Sequence, residues 1–188
     1  MIIRENQLNK VLSANSKFLG ILIFGPNEGL IRSQIKKFKR EYCENNNYEN
    51  INLSGKDLDN DANILDNYIN TVSMFFKGKM IVVDNIKEKH FELIEPAINS
   101  SPEEVLLIVK SENLNKSSKI RKLFENSKTC YSLACYDDDI KSHMSNIDEF
   151  IKENNLIIDK DVKNYLLKYL SNDRMINYQE LEKIVLFK

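Results

Sequence analysis

Residues Gly25-Pro-Asn-Glu-Gly29 lie between an apolar run, Leu19–Phe24, and the start of an amphipathic segment. That is the setting in which a chain cradles phosphate. Phosphate chemistry there needs the spacing G-x-x-x-x-G-K-[ST], so that backbone N–H groups surround the anion, a Lys reaches it and a hydroxyl holds Mg²⁺. Counted from Gly25, the required Gly, Lys and Ser/Thr fall on Leu30, Ile31 and Arg32. Two large aliphatics therefore fill the space where backbone must approach an anion. A hydrolase also needs an acidic pair after a second apolar strand, for the metal and the attacking water. Met80-Ile-Val-Val-Asp84 supplies the strand and one carboxylate, but Asn85 follows instead of Glu. Two degenerate motifs in the correct order indicate a nucleotide-binding architecture that holds no nucleotide. The plainer alternative makes Gly25-Pro26 a turn and Asp84 a strand-end cap. The enzymatic alternative is an atypical nucleotide hydrolase using the Gly25–Gly29 loop and Asp84.

Other candidate chemistry is sparser. Asp57-x-Asp59-x-Asp61 opens like a calcium loop, yet its sixth position is Ala62 instead of Gly and its twelfth is Tyr68 instead of a bidentate Glu. A solvated acidic helix start is the better reading. Cys43, Cys130 and Cys135 fit neither a disulfide framework nor a zinc spacing, and read as thiols of a reducing cytoplasm. His90 and His143 have no Ser or Cys at a spacing that suggests a nucleophile and its base. No catalytic residue, metal or cofactor is expected. Lys36–Arg40 reads as the solvent face of a helix. Lys116, Lys119, Arg121 and Lys122, on a loop and helix start beside Ser117 and Ser118, suit contact with a nucleic-acid backbone better. A nucleic-acid-binding module built on these clusters is a further alternative. In Ser73-Met74-Phe75-Phe76, three large apolar residues in succession cannot all face one core. Either some of them are exposed and mark a contact site, or Phe76 and a neighbour plug a sheet edge.

These residues need elements to position them. Gln7–Ala14 reads as a short helix and Phe18–Phe24 as a strand. Ile31, Ile35, Phe38 and Tyr42 recur at helical spacing. Asn45–Asn47 ends that helix and Asn50–Leu53 is a short strand. One polar helix then carries Leu58, Ala62, Leu65 and Ile69 inward. Met80–Val83, Val105–Val109 and Cys130–Leu133 are further strands, with helices at His90–Ile98 and Lys119–Glu125 between them. About five continuous aliphatic strands alternating with amphipathic helices predict an α/β fold, a parallel sheet covered on both faces. Beyond Tyr136 the pattern is helical only. Asp137-Asp138-Asp139 opens the first helix, where acidic residues suit the dipole. The stripes are Ile140/Met144/Ile147/Phe150/Ile151, Val162/Leu166/Tyr169 and Tyr178/Leu181/Val185. The expected domains are residues 1–136, α/β and without a functional nucleotide site, and 137–188, small and helical.

Composition narrows the function classes. At 188 residues and a formal net charge of −1, the chain can bury a substantial core and is no globally basic nucleic-acid binder. Leu19–Phe24 is far shorter than the roughly 20 residues that span a bilayer, and MIIRENQLNK lacks a signal peptide's apolar region. No membrane association and a cytoplasmic location are expected. The chain stops inside an apolar-periodic helix, Ile184–Lys188, which suggests a piece of something longer.

Taken in order, several segments resemble the delta subunit of bacterial DNA polymerase III, the clamp-loader subunit that opens the β sliding clamp. They are Leu22–Leu30, Ser73–Phe75, Met80–Asp84, Leu106–Val109, Lys116–Glu125, Leu170–Arg174 and Glu180–Ile184. The resemblance implies an AAA+-like first domain that binds no ATP, then a small helical lid domain. It also implies a helical collar domain, absent here, through which the other clamp-loader subunits assemble. It further implies that an apolar pair following Ser inserts into a hydrophobic pocket of the clamp. Those positions are Ser73, Met74 and Phe75, with Met74 standing where the family has Leu. The partners implied are the β sliding clamp, the other clamp-loader subunits and primer-template DNA reached through the complex.

Overall fold

The computed structural model describes residues 1–13, 18–136, 140–169 and 174–186. Six strands pair in parallel in the order β1-β6-β2-β5-β4-β3. They are β1 (Ile2–Ile3), β2 (Gly20–Phe24), β3 (Tyr48–Ser54), β4 (Gly78–Asp84), β5 (Val105–Ser111) and β6 (Cys130–Ala134). Between them run α1 (Glu5–Ser13), α2 (Glu28–Lys39), α3 (Gly55–Asn60), α4 (Ile64–Asn70), α5 (Phe91–Ser100) and α6 (Lys119–Asn126). A π turn, Arg40–Asn45, ends α2, and a 3₁₀ turn, Glu88–His90, precedes α5.

Strands buried on both faces need apolar residues at every position, which is why β2, β4 and β5 read as unbroken aliphatic runs. Alternation divides those residues between two layers. Leu22, Phe24, Ile81, Val83, Leu107 and Val109 pack with Leu58 of α3, Leu65 and Ile69 of α4, Ile94 and Ile98 of α5, and Ile120 and Phe124 of α6. Ile21, Ile23, Met80, Val82, Leu106 and Ile108 are buried on the opposite face. There Phe38 of α2 meets Phe18 edge-on at 6.2 Å, and Phe18 meets Tyr131 of β6 at 5.2 Å. Gln34 of α2 donates to Glu5 of α1 at 3.0 Å, so α1 and α2 share this layer. The expected α/β fold, a parallel sheet with helices on both faces, is the observed one.

In the sheet and the helices that cover it, two expectations differ from the structure. The sheet has six strands, because Ile2 and Ile3 pair with Ser132 and Leu133 of β6. Two residues are too few to display a period. The single helix carrying Leu58, Ala62, Leu65 and Ile69 is in fact α3 and α4, with Ala62 exposed between them. Asp61 adopts extended backbone, and its carboxylate accepts from the Asn63 N–H at 2.9 Å. Short polar side chains divert backbone groups from the helix in this way.

The chain forms two compact units, Met1–Pro26 with Ile31–Cys135, and Asn27–Leu30 with Tyr136–Lys188. The second contains α7 (Ile140–Glu153), α8 (Lys160–Tyr169) and α9 (Arg174–Leu186). Ile147, Phe150 and Leu181 are buried, and Phe150 meets Tyr178 edge-on at 5.4 Å. Asn155 at φ 50° ends α7, where the Leu156 N–H donates to the Ile151 carbonyl. The expected inward stripe on α8 is mostly outward, since Val162 and Tyr169 are exposed and only Leu166 is half-buried. The acidic cluster Asp137–Asp139 and most of the segment Leu170–Arg174 lie outside the described residues.

Candidate functional site

Between α4 and β4 the chain leaves the sheet in a loop, Thr71–Lys77, that carries Ser73, Met74 and Phe75. The helix ends because Thr71 turns extended and its N–H and Oγ1 both donate to the Asn67 carbonyl, at 3.0 and 2.6 Å. β4 begins at Gly78, where a Cβ would stand 2.2 Å from the Glu104 carbonyl oxygen and 2.6 Å from the Tyr48 ring. No other residue fits there without displacing the strand start. Between these points Met74 is 90% exposed and Phe75 84%, while Ser73 is half-buried. Val72 (85%) and Phe76 (41%) extend the same apolar surface. Val72 carries little signal in the sequence beyond being a β-branched residue just past a helix end.

Two residues from outside the loop hold it. Asn47, at φ 59° in the turn before β3, donates Nδ2 to the Phe75 carbonyl at 3.2 Å and accepts the Lys77 N–H at 3.0 Å. Lys79 is buried, and its Nζ donates to the carbonyls of Tyr68, at 2.6 Å, and Thr71. In the sequence Asn47 reads only as part of a run that ends a helix, and Lys79 only as the residue before the strand Met80–Val83.

The Gly25–Gly29 loop follows β2 at the carboxyl end of the sheet, where ligands of such folds bind. Gly25 sits at φ 141°, with the Cys135 carbonyl oxygen 2.0 Å from where a Cβ would be. Pro26 is exposed. Asn27 caps α2: its Oδ1 accepts the Leu30 N–H at 2.9 Å, and its Nδ2 donates to the Tyr136 carbonyl at 3.4 Å. Glu28 adds a carboxylate in the first turn, Gly29 is buried, and so are Leu30 and Ile31 at the Gly and Lys positions of a phosphate loop. The amide end that would face an anion thus carries its own oxygen acceptor and a negative charge. Asp84 stands at the end of β4, separated from β2 by β5. Its carboxylate accepts from Lys110 Nζ at 3.1 Å and from the Asn85 N–H at 2.6 Å. It shares a cleft of about 450 Å³ with Arg32, Lys36, Lys39 and Asn50.

The basic group beside α6 does not act as one surface. Arg121 is turned inward: Nε donates to Glu125 at 2.7 Å, Nη1 to the Leu114 carbonyl at 3.1 Å, and its guanidinium lies 4.9 Å from the Phe24 ring centre. Lys116, Lys119 and Lys122 are exposed, with Lys119 Nζ 5.6 Å over Phe91. Glu88 occupies the start of α6, accepting from Ser118 Oγ at 2.7 Å and the Lys119 N–H at 2.6 Å.

The three aspartates of the calcium-like run diverge. Asp57 accepts from the Ser54 N–H and Oγ, which holds its carboxyl below the usual range. Asp59 accepts from Lys89 at 2.6 Å and faces His90 at 3.1 Å, and these hydrogen bonds lower its pKa too. His90 is buried, with Nδ1 accepting the Lys87 N–H, so the proton shared with Asp59 sits on Nε2. Among the described residues no three His, Cys, Asp or Glu side chains gather as metal ligands. No helix among them is long and apolar enough to cross a membrane.

Comparison with known proteins gives this geometry a setting. Residues 21–133 match the family model of the DNA polymerase III delta subunit. A probable DNA polymerase III subunit delta of Rickettsia prowazekii (strain Madrid E) is 25% identical over 179 residues, covering 94% of this chain and 53% of that one. The Bacillus subtilis DNA clamp loader delta protein superposes with a TM-score of 0.68 at 14% identity, over 97% of this chain and 57% of that one. Domain III of the Thermotoga maritima replication initiation protein DnaA superposes at 0.55, with 10% identity, over 97% of this chain and 82% of that one. These two structures show a shared AAA+-like fold. The chain spans about half the length of its delta relatives. With the family model matching more than half of its residues, the chain belongs to the DNA polymerase III delta subunit family.

Proposed function

We propose that this chain binds the β sliding clamp and helps open it during DNA replication, with Ser73, Met74 and Phe75 as the contact. The supporting observation is the exposure of Met74 and Phe75, 90% and 84%, at the two positions where the family carries its apolar clamp-binding pair. Fully burying a Met or Phe side chain contributes roughly 1.5–3 kcal/mol. Two seated in one pocket supply enough to anchor an interface. Met for Leu keeps volume and apolarity with a more flexible stem. Opening then requires that the clamp bind this surface better with one interface sprung than closed, since a ligand shifts an equilibrium only by such a difference. ATP binding and hydrolysis by partner subunits govern when the surface is available.

In this reading residues 1–136 are the AAA+-like domain without a working nucleotide site, and 137–188 the lid. The protein acts in the cytoplasm and joins the other clamp-loader subunits mainly through a collar domain. Lys116, Lys119 and Lys122 are the side chains we assign to DNA-backbone contact, without Arg121. The test is clamp affinity by surface plasmon resonance. Met74→Ala/Phe75→Ala is expected to weaken binding about a hundredfold or more, with an unchanged far-UV spectrum. Equal affinity in parent and variant defeats the assignment.

A further inference from the structure

We propose that Asn47 and Lys79 are positioning residues that hold the Thr71–Lys77 loop, before any partner arrives, in the shape that presents Met74 and Phe75. This rests on the reading of those two side chains as the clamp anchor. The clamp-facing residues are local in sequence, but what shapes them is not. Asn47 lies 28 residues before Phe75, and that one residue grips the loop's exit twice, through its side-chain amide at Phe75 and its carbonyl at Lys77. Its positive φ is one that Asn tolerates better than most residues. Lys79 secures the entry. Lys79 is only 4% exposed, and an ammonium in such a place is costly unless its donors are satisfied. Here they meet the Tyr68 and Thr71 carbonyls, at the end of α4 where the helix dipole favours a cation. An apolar side chain would serve the core at that position. The ammonium instead ties β4 to the point where the loop departs.

With both ends held, Val72, Ser73 and Met74 project from a fixed frame. Ordering a loop on binding subtracts from affinity, so a loop ordered in advance loses less. Asn47 and Lys79 therefore raise clamp affinity without touching the clamp.

The experiment pairs two readouts on the full chain: hydrogen exchange of the 72–77 amides in the free protein, and affinity for the β clamp. Asn47→Gly keeps the backbone conformation and the carbonyl acceptor while deleting the Nδ2 bond. Loop exchange is expected to quicken about three- to tenfold, with clamp affinity falling by a similar factor and thermal stability unchanged. In a Met74→Ala/Phe75→Ala background the affinity effect of Asn47→Gly is expected to vanish, as coupling between the sites requires. Lys79→Met is expected to speed exchange from Thr71 onward; if that variant does not fold, Asn47→Gly decides alone. Unchanged loop exchange, or faster exchange with undiminished affinity, overturns the positioning role. If Met74→Ala/Phe75→Ala itself binds like the parent, the anchor reading falls and this proposal with it. Loss of binding in that variant, with Asn47→Gly inert, removes the positioning role alone.

Discussion

At Gly25 the backbone stands at φ 141°, and a Cβ would lie 2.0 Å from the carbonyl oxygen of Cys135. In a working phosphate loop such a glycine makes room for an anion. Here it makes room for the chain leaving β6, whose Cys135 N–H donates to the Phe24 carbonyl at 2.7 Å. Gly25→Ala is expected to destabilise the fold by about 3 kcal/mol or more, read from urea denaturation, because both the backbone conformation and the close approach are violated. A loss below about 1 kcal/mol contradicts that account. Asn27 has been put to similar local use, with its carboxamide oxygen on an amide of α2 that an anion would otherwise take. Arg121 shows how far residue type can mislead. In sequence it is one of four neighbouring cations, but its guanidinium is engaged by Glu125, Leu114 and the Phe24 ring.

At the scale of elements, α2 and β3 are joined through an aromatic cluster whose ionisation is measurable. Tyr42, in the π turn after α2, stacks on Phe38 at 6.3 Å and meets Tyr48 of β3 edge-on at 5.2 Å. Burial chiefly, with Tyr48 and Glu41 adding to it, pushes its phenol up to about 12. The unfolded chain ionises near 10, so both states are neutral below that pH and the stabilisation is complete there. Between about pH 10 and 12 only the unfolded state gains by ionising, and stability falls as pH rises. Urea denaturation at pH 9, 10 and 11 is expected to show a smaller alkaline loss for Tyr42→Phe than for the parent. Identical slopes place the phenol in solvent. The loop between α4 and β4 belongs to the same scale. Its ends are set by Thr71 and Gly78, and between them Val72, Met74, Phe75 and Phe76 are exposed.

For the molecule as a whole, the parallel sheet has the AAA+-like fold, and the two places where the sequence carries degenerate nucleotide motifs hold internal contacts. The start of α2 is capped internally, and Asp84 is paired with Lys110. Anything that binds the native state raises its apparent stability by mass action. Millimolar Mg-ATP is therefore expected to leave the melting temperature within about 1 °C of its value without nucleotide, with no binding heat in calorimetry. Micromolar binding returns the hydrolase alternative based on the Gly25–Gly29 loop and Asp84. The chain shares this scaffold with the delta family, and it carries an exposed apolar loop between α4 and β4.

The amino-acid sequence by itself determined the α/β class, because strands buried on both faces must be apolar at every position and helices must repeat near 3.6 residues. It also showed the missing lysine at Ile31, the lone carboxylate at Asp84, and an apolar triplet at Met74–Phe76 too crowded for one core. These are local properties, settled within a few residues of chain. Tertiary structure decided what depends on residues far apart. It paired Ile2-Ile3 with β6, turned Arg121 inward and left Val162 and Tyr169 of α8 exposed. It also exposed Met74 and Phe75 and tied their loop to Asn47 and Lys79. Hydrogen bonds across 28 and 11 residues leave no trace in a local pattern, since only the folded sheet brings those partners within reach.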